Sequence, residues 1–346
     1  MKVLAIQLKR IGDLVLTTPA LAALHRGGAR VSLLVDGGCR SLLPAMEDLD
    51  ERLVHEKRRG NGQLWRRLRA GGWDAVLDFT GNDRSALMSW VTRAPRRLSF
   101  AWVRSRWWKR LVYHGYADSS VRLRHTCDHY LDLVGALQPL PADVSTTPFL
   151  HLPTTANAAA TDLLAHAGVR GDFVLVHPGT ARPEKYWPVG HWADVIAGLR
   201  AAEHTVVITA GPDTFEQHHV RDILLKSDQR PEAPGGRCVL VLPPDLMTLA
   251  AVVARARLVL SCDTSVVHLA AAFQRPQIAL FGPTNPFHWC PRHAQAVVLS
   301  AATPHVPLTD FQPKQKGAPM ERLPAPVVLA EAMRQWSSVS VSADKI

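Results

Sequence analysis

The hydrophobic residues of this chain gather in short continuous runs rather than in alternation. The first half carries "KVLAIQL", "ARVSLLVD", "ERLVHE" and "WDAVLDFTG"; the second carries "DFVLVHPG", "HTVVITAG", "RCVLVLP", "ARLVLSCD", "PQIALFGP" and "AVVLS". Apolar runs with no polar face mark strands covered on both sides, and the helically spaced stretches of about 10 to 15 residues between them supply the cover. The pattern predicts an α/β protein with two doubly wound parallel-sheet domains. Between them, residues 138–156 ("QPLPADVSTTPFLHLPTTA") hold four prolines that interrupt both periodicities. We therefore expect a first domain over 1–155 and a second over 156–323. A last helix over 324–337 is expected to pack back toward the first domain, with a frayed tail over 338–346.

Within "IGDLVLTTPAL" one acid, Asp13, follows the first strand run, Val3 to Leu8. Helical spacing from Leu14 onward, with Thr18 and Pro19 as cap and first-turn residues, puts Asp13 at a strand-to-helix junction. In open α/β sheets ligands bind at such junctions, so the acid is a candidate functional group. The alternative is that it only caps a helix.

Composition narrows the picture. A chain of 346 residues, 47% hydrophobic and 20% charged, is a soluble globular protein with room for two cores. Five dispersed cysteines without CxxC spacing suggest neither a disulfide framework nor zinc, and fit a reducing cytoplasm. No apolar run approaches the roughly 18 residues that span a bilayer. The formal charge of +10 is uneven: Arg93 to His114 holds six Arg, one Lys, three Trp and no acid. Such a stretch suits an anionic lipid surface or single-stranded nucleic acid; a solvated basic face is the plain alternative. His125, Cys127 and His129 alternate, but no fourth ligand is near, and a metal site is not expected.

Three stretches of the second half stand at the carboxyl ends of predicted strands. "VHPGTARPEKYWP" offers a tight turn, the Thr180 hydroxyl and the Lys185 cation, a composition suited to a diphosphate although the P-loop spacing is absent. "SCDTSVVHLAAAF" places Asp263, Thr264 and Ser265 before a helix and His268 one turn into it, an anion cradle or a simple cap. "LFGPTNPFHWCP" breaks a strand into a Gly-Pro turn beside the second stretch.

Taken together and in order, these motifs resemble the ADP-heptose lipopolysaccharide heptosyltransferase family, glycosyltransferase family 9. The resemblance implies a GT-B fold, two Rossmann-like domains facing across a cleft, and inverting transfer from ADP-heptose without an obligatory metal or other cofactor. It implies that Asp13 is the general base for the acceptor hydroxyl. Lys185 would offset charge on the departing ADP, with Thr180, Asp263, Thr264, Ser265 and His268 as donor contacts. Asp213 or Glu216 would hold the nucleoside. The sequence departs from the family pattern at Ser265, where Gly is common, at Asn285, where many members have Asp, and at Ala181, where some carry a hydroxyl. The end of the third motif is closer to members that add a side-branch heptose to the inner core than to those acting on Kdo. A lipid-anchored acceptor at the inner leaflet gives Arg96, Arg97, Arg104 and Arg106 a role on the cytoplasmic face of the membrane. Two other readings compete: a non-transferring GT-B enzyme such as a nucleotide-sugar epimerase, which needs no base for an external acceptor, and a basic nucleic-acid-binding protein.

Overall fold

The computed structural model describes residues 1–57, 60–230 and 235–338, which fall into two compact units, Met1–His151 and Leu152–Ile346. The expected tail at 339–346 lies outside the described residues.

The first unit runs β1 (Lys2–Gln7), α1 (Ile11–Leu16), α2 (Thr18–Arg26), β2 (Arg30–Asp36), β3 (Leu49–His55), α3 (Gly62–Ala70), β4 (Ala75–Asp78), α4 (Asp83–Val91), β5 (Arg96–Phe100), α5 (Lys109–Val112), β6 (Gly115–Ala117) and α6 (Thr126–Gly135). Its strands are all parallel, in the order β3-β2-β1-β4-β5-β6. Burial explains the apolar runs: Val3 to Ile6 on β1 and Ala75 to Leu77 on β4 are fully buried.

The second unit runs α7 (Thr154–His166), β7 (Val174–His177), α8 (Val189–Ala201), β8 (Val206–Thr209), α9 (Thr214–Asp228), β9 (Cys238–Val241), α10 (Leu246–Arg255), β10 (Leu258–Cys262), α11 (Ser265–Ala272), β11 (Gln277–Phe281), β12 (Ala296–Ser300), β13 (Thr303–Pro307) and α12 (Ala325–Ser338). The order is β13-β12-β11-β10-β7-β8-β9, parallel except for β13, which pairs antiparallel with β12. Trp187 and Trp192, both fully buried, meet edge to face at 4.9 Å in its core. Each ring of that size removes roughly 150–250 Å² from water, on the order of 4–6 kcal/mol before entropy.

Three expectations change. The helix after β1 begins at Ile11, not Leu14, so Asp13 sits inside the first turn of α1; Thr17 caps a separate α2, with Pro19 in its first turn. The basic stretch contains β5, whose Leu98, Ser99 and Phe100 are buried, so it is partly core rather than one solvated face. The last helix packs on α8, and Ala325, Val328 and Ala332 complete the second unit's own core. Its apolar face matches the α8 side of the second sheet, which would otherwise stay open to water.

Both sheets reverse their strand order at one point, between β1 and β4 in the first and between β7 and β10 in the second. Diverging connections open a crevice at the carboxyl ends of such strand pairs, where ligands bind in doubly wound folds.

Candidate active site

In the first unit the chain leaves β1 at the reversal and enters α1 through Arg10, which caps it without a side-chain bond. The Asp13 carboxylate does not cap the helix. Its Oδ1 accepts the hydroxyl of Tyr130, from α6, at 2.7 Å and lies 3.8 Å from Lys9 Nζ, while the side chain remains 26% exposed. Lys9 Nζ in turn lies 3.3 Å from the Tyr130 hydroxyl. Tyr130 is fully buried; desolvation and then the neighbouring Asp13 charge push its phenol well above the usual range, so it donates and does not ionise. Below Asp13, Gln7 Nε2 donates to Thr17 Oγ1 at 2.8 Å, and Thr17 Oγ1 donates to the Asp13 carbonyl at 2.7 Å. The acid is thus held by its own backbone and by a phenol 117 residues away.

Beside it, β4 ends at Asp78, a fully buried acid whose Oδ1 accepts the amides of Thr80 and Gly81 at 2.9 Å and whose Oδ2 accepts the Tyr113 hydroxyl. Burial raises this carboxyl above its ordinary range. Gly81 is needed where it stands: its φ is +68°, and a Cβ would meet the Trp102 and Val103 side chains at 2.8 Å.

In the second unit Lys185 and Asp263, predicted separately, meet across the reversal: Nζ lies 2.6 Å from Oδ2, with the side chains 14% and 8% exposed. Lys185 follows β7 on a loop pinned two residues later by Trp187, whose Nε1 donates to the Leu323 carbonyl at 3.0 Å. Asp263 therefore commits its carboxylate to Lys185 rather than to a cap. Thr264 takes the N-cap position of α11 with no side-chain capping bond, and Ser265 opens the helix, so the first amides of α11 are not closed by the residues that looked like caps. His268 is buried one turn in.

Thr180 is 8% exposed on the turn after β7. Against that turn lies Glu216, and a Cβ on Gly179 would sit 1.9 Å from its Oε1. The same Oε1 accepts the Gly211 amide at 2.6 Å and lies 3.6 Å from His177 Nε2. Burial raises the Glu216 carboxyl and lowers His177 to about 4. Asp213 instead caps α9, accepting from Phe215 and Glu216 amides at 3.0 and 3.2 Å. The two acids therefore differ in kind: Asp213 is exposed and caps, Glu216 is buried and buttresses two strand-end turns. Asn285 caps the turn at Phe287 and donates Nδ2 to the Gln312 and Pro313 carbonyls.

The four arginines expected to form one anionic-lipid surface divide. Arg97 is tied to the Val112 and Ala94 carbonyls at 2.6 Å and to His114 Nε2 at 3.2 Å, and burial lowers its guanidinium. Arg96 donates to the Leu137 carbonyl at 2.7 Å. Those two hold β5 in place. Arg104 and Arg106 are exposed, Arg104 over the Tyr116 ring at 5.1 Å, in a segment where Trp107 and Leu111 are 74% and 73% exposed. His125 and His129 are structural: His125 Nδ1 caps α6 and the His129 ring stacks on Phe100 at 3.7 Å. Among the described residues no helix is long and apolar enough to cross a membrane.

Sequence reasoning missed Tyr130, Tyr113 and Asp78. None stands in a local motif: the β1-β4 pairing brings Asp78, the end of α5 brings Tyr113 and α6 brings Tyr130.

Comparison with known proteins bears on the whole chain. Residues 61–317 match Glycosyltransferase family 9 (heptosyltransferase). Lipopolysaccharide heptosyltransferase 3 of Escherichia coli is 25% identical over 301 residues, covering 81% of this chain and 83% of that protein. Lipopolysaccharide heptosyltransferase 1 of Escherichia coli (strain K12) is 25% identical over 311 residues, covering 83% and 89%. The crystal structure of Escherichia coli ADP-heptose lipopolysaccharide heptosyltransferase II superposes with a TM-score of 0.78 at 20% identity, covering 97% of this chain and 99% of that one. The fold is that of the GT-B heptosyltransferases.

Proposed function

Because the chain belongs to glycosyltransferase family 9, we propose that this glycosyltransferase moves heptose from ADP-L-glycero-D-manno-heptose to the inner core of lipopolysaccharide with inversion. An inverting displacement needs a base for the acceptor hydroxyl on one side of the anomeric carbon and relief of charge on the departing ADP on the other. The first unit offers Asp13 for the former. Its carboxylate stays partly solvated, and Tyr130 and Lys9 fix its orientation. The acceptor O–H bond breaks as its oxygen bonds to the anomeric carbon, the proton passes to Asp13, and the bonding pair to the diphosphate leaves with ADP.

The second unit offers the latter. Lys185 carries the cation, Asp263 positions it, and Thr180, Thr264, Ser265 and the N-terminal end of α11 present hydrogen-bond donors to the diphosphate. His268 lies within the same helix. Of the two acids considered for the nucleoside, exposed Asp213 is the one with a carboxylate at the surface, while buried Glu216 buttresses the turns at Gly179 and Gly211. No metal is part of this scheme: Lys185 and the helix supply the positive potential. The relatives named heptosyltransferase 3 and heptosyltransferase 1 match at equal identity, so the side-branch acceptor rests on the third motif alone. Arg104, Arg106, Trp107 and Leu111 supply a basic and aromatic face for a lipid-anchored acceptor.

The observation that carries the proposal is the placement of Asp13 at one strand-order reversal and the Lys185–Asp263 pair at the other. The test is a transfer assay with the ADP-heptose donor and a panel of truncated core acceptors, reading ADP release and product mass. Acceptor-dependent release with a heptose increment is expected, lost in Asp13→Asn with ADP affinity unchanged. Near-normal kcat in Asp13→Asn refutes the assignment of the base.

A further inference from the structure

At the other end of the first sheet, where α3 and α4 finish and β5 begins, a cavity of about 260 Å³ is lined by Arg69, Trp90, Val91, Arg93 and Arg97. Arg97 lies level with Val76, and Val76 with Leu4, three residues short of the Gln7 end of β1. At about 3.3 Å per residue that is about 10 Å along the strand, with Asp13 beyond it. The cavity shares no residue with the Asp13 site.

Three arginines line it, and among the described residues none has a carboxylate partner. They are placed differently. Arg69 stands in the last turn of α3 and Arg93 just past α4, where helix dipoles favour cations. Arg97 is fixed by two carbonyls and His114, which leaves two of its five N–H donors available. Arg93 is the most telling. It adopts φ +57° after the helix, where glycine is the usual residue, so its side chain is kept at a backbone cost that no ion pair offsets. Trp90, 58% exposed, presents an aromatic surface on the same cavity.

We propose that this cavity is a second anion-binding site, taking a phosphate or carboxylate carried on a single sugar ring. The arginines fork onto the oxyanion and the ring lies against Trp90. The lining holds a single aromatic side chain, Trp90, which suits one sugar ring. The anion has two sources, a soluble sugar phosphate or a lipid whose headgroup is a phosphorylated polyol ring, and both present the same chemistry to the site.

The test is calorimetric titration of the full chain with glucose 6-phosphate, inorganic phosphate and glucose, and sedimentation with phosphatidylcholine vesicles with and without phosphatidylinositol 4-phosphate, whose phosphate is carried on a polyol ring. Glucose 6-phosphate is expected to bind more tightly than inorganic phosphate, and glucose not at all. Arg69→Gln and Arg93→Gly should each weaken glucose 6-phosphate about tenfold or more. Trp90→Ala should weaken it while sparing inorganic phosphate. Arg93→Gly relieves the left-handed backbone, so its loss of binding cannot be put down to unfolding, and thermal melting checks this. Tighter capture by phosphatidylinositol 4-phosphate vesicles, lost in Arg93→Gly, places the anion on a lipid; tighter capture of glucose 6-phosphate places it on a soluble sugar. Absence of glucose 6-phosphate and vesicle binding up to roughly 10 mM phosphate, or binding indifferent to Arg69→Gln and Arg93→Gly, overturns the site. No donor sugar or transfer step is involved, so the outcome is independent of heptosyl transfer.

Discussion

Removing Lys185 should do more than delete a cation. Its Nζ is 2.6 Å from a carboxylate that is only 8% exposed, so Lys185→Ala leaves Asp263 charged and nearly buried with no partner. Breaking a buried pair from one side costs about 3–5 kcal/mol of stability, because the orphaned charge keeps its desolvation penalty. The charge count at the strand-order reversal then decides ADP affinity. The intact pair sums to zero, Lys185→Ala to −1, Asp263→Ala to +1 and the double variant to zero. A bare charge about 5 Å from a diphosphate oxygen, at an effective dielectric near 20, is worth about 3 kcal/mol, on the order of a hundredfold in Kd. Lys185→Ala should therefore lose ADP most severely, the double Lys185→Ala/Asp263→Ala should regain most of the affinity and the stability, and Asp263→Ala alone should bind ADP at least as well as the native chain. The assay is a double-mutant cycle read by calorimetry with ADP and by urea unfolding. Turnover should stay low in all three, since the cation or its position is lost in each. Equal weakening in the double variant and Lys185→Ala, or loss of ADP in Asp263→Ala alone, refutes the reasoning and makes Asp263 a direct ligand.

Other expectations follow from the same geometry. Tyr130→Phe removes the 2.7 Å bond to Asp13; kcat should fall about tenfold with donor KM unchanged, the equivalent of roughly 1.4 kcal/mol. Arg104→Glu with Arg106→Glu should raise KM for a lipid-anchored acceptor more than for a soluble truncated one, and equal effects would remove the membrane role. Burial lowers His129 to about 4 from its ordinary 6.5, so between pH 6.5 and 4 the unfolded chain binds a proton that the native chain refuses, and stability is lost as the pH is lowered. In His129→Phe, which keeps the stack on Phe100, the slope of unfolding free energy over that window should drop by about 1.4 kcal/mol per pH unit. Denaturant titrations at several pH values measure it.

How much of this was legible in the sequence depends on where each signal lives. The strands with continuous apolar runs were plain, because burial on both faces leaves no polar alternation. β5 was hidden because "RRLSF" opens on two arginines that pin neighbouring carbonyls, and β6 has three residues. β13, "TPHVP", holds two prolines, which only an edge strand tolerates. At the site, the local rule placed Lys185 and Asp263 each at the end of its strand, and local chemistry then favoured capping for Asp263. The pair forms because β7 and β10, distant in sequence, are neighbours in the sheet. A partner 78 residues away displaced the cap, and no pattern around Asp263 could announce it.

Asp13 and Asp78 show what local reading leaves undecided. They stand by adjacent parallel strands, with Ile6 of β1 level with Asp78 of β4, and both accept a tyrosine hydroxyl. Asp78 is fully buried, takes two backbone amides as well, and is pushed by desolvation toward its protonated form. A carboxyl in that position builds the loop after β4 and cannot reach an acceptor hydroxyl. Asp13 keeps a quarter of its side chain in solvent, with a cation 3.8 Å away, so an acceptor hydroxyl can reach it. The two substitutions should therefore separate cleanly. Asp78→Asn should cost about 1–3 kcal/mol of stability and leave the turnover of folded protein largely intact. Asp13→Asn should leave unfolding nearly unchanged and abolish transfer. If Asp78→Asn instead stops turnover in protein that melts normally, the base is the buried acid and Asp13 is not.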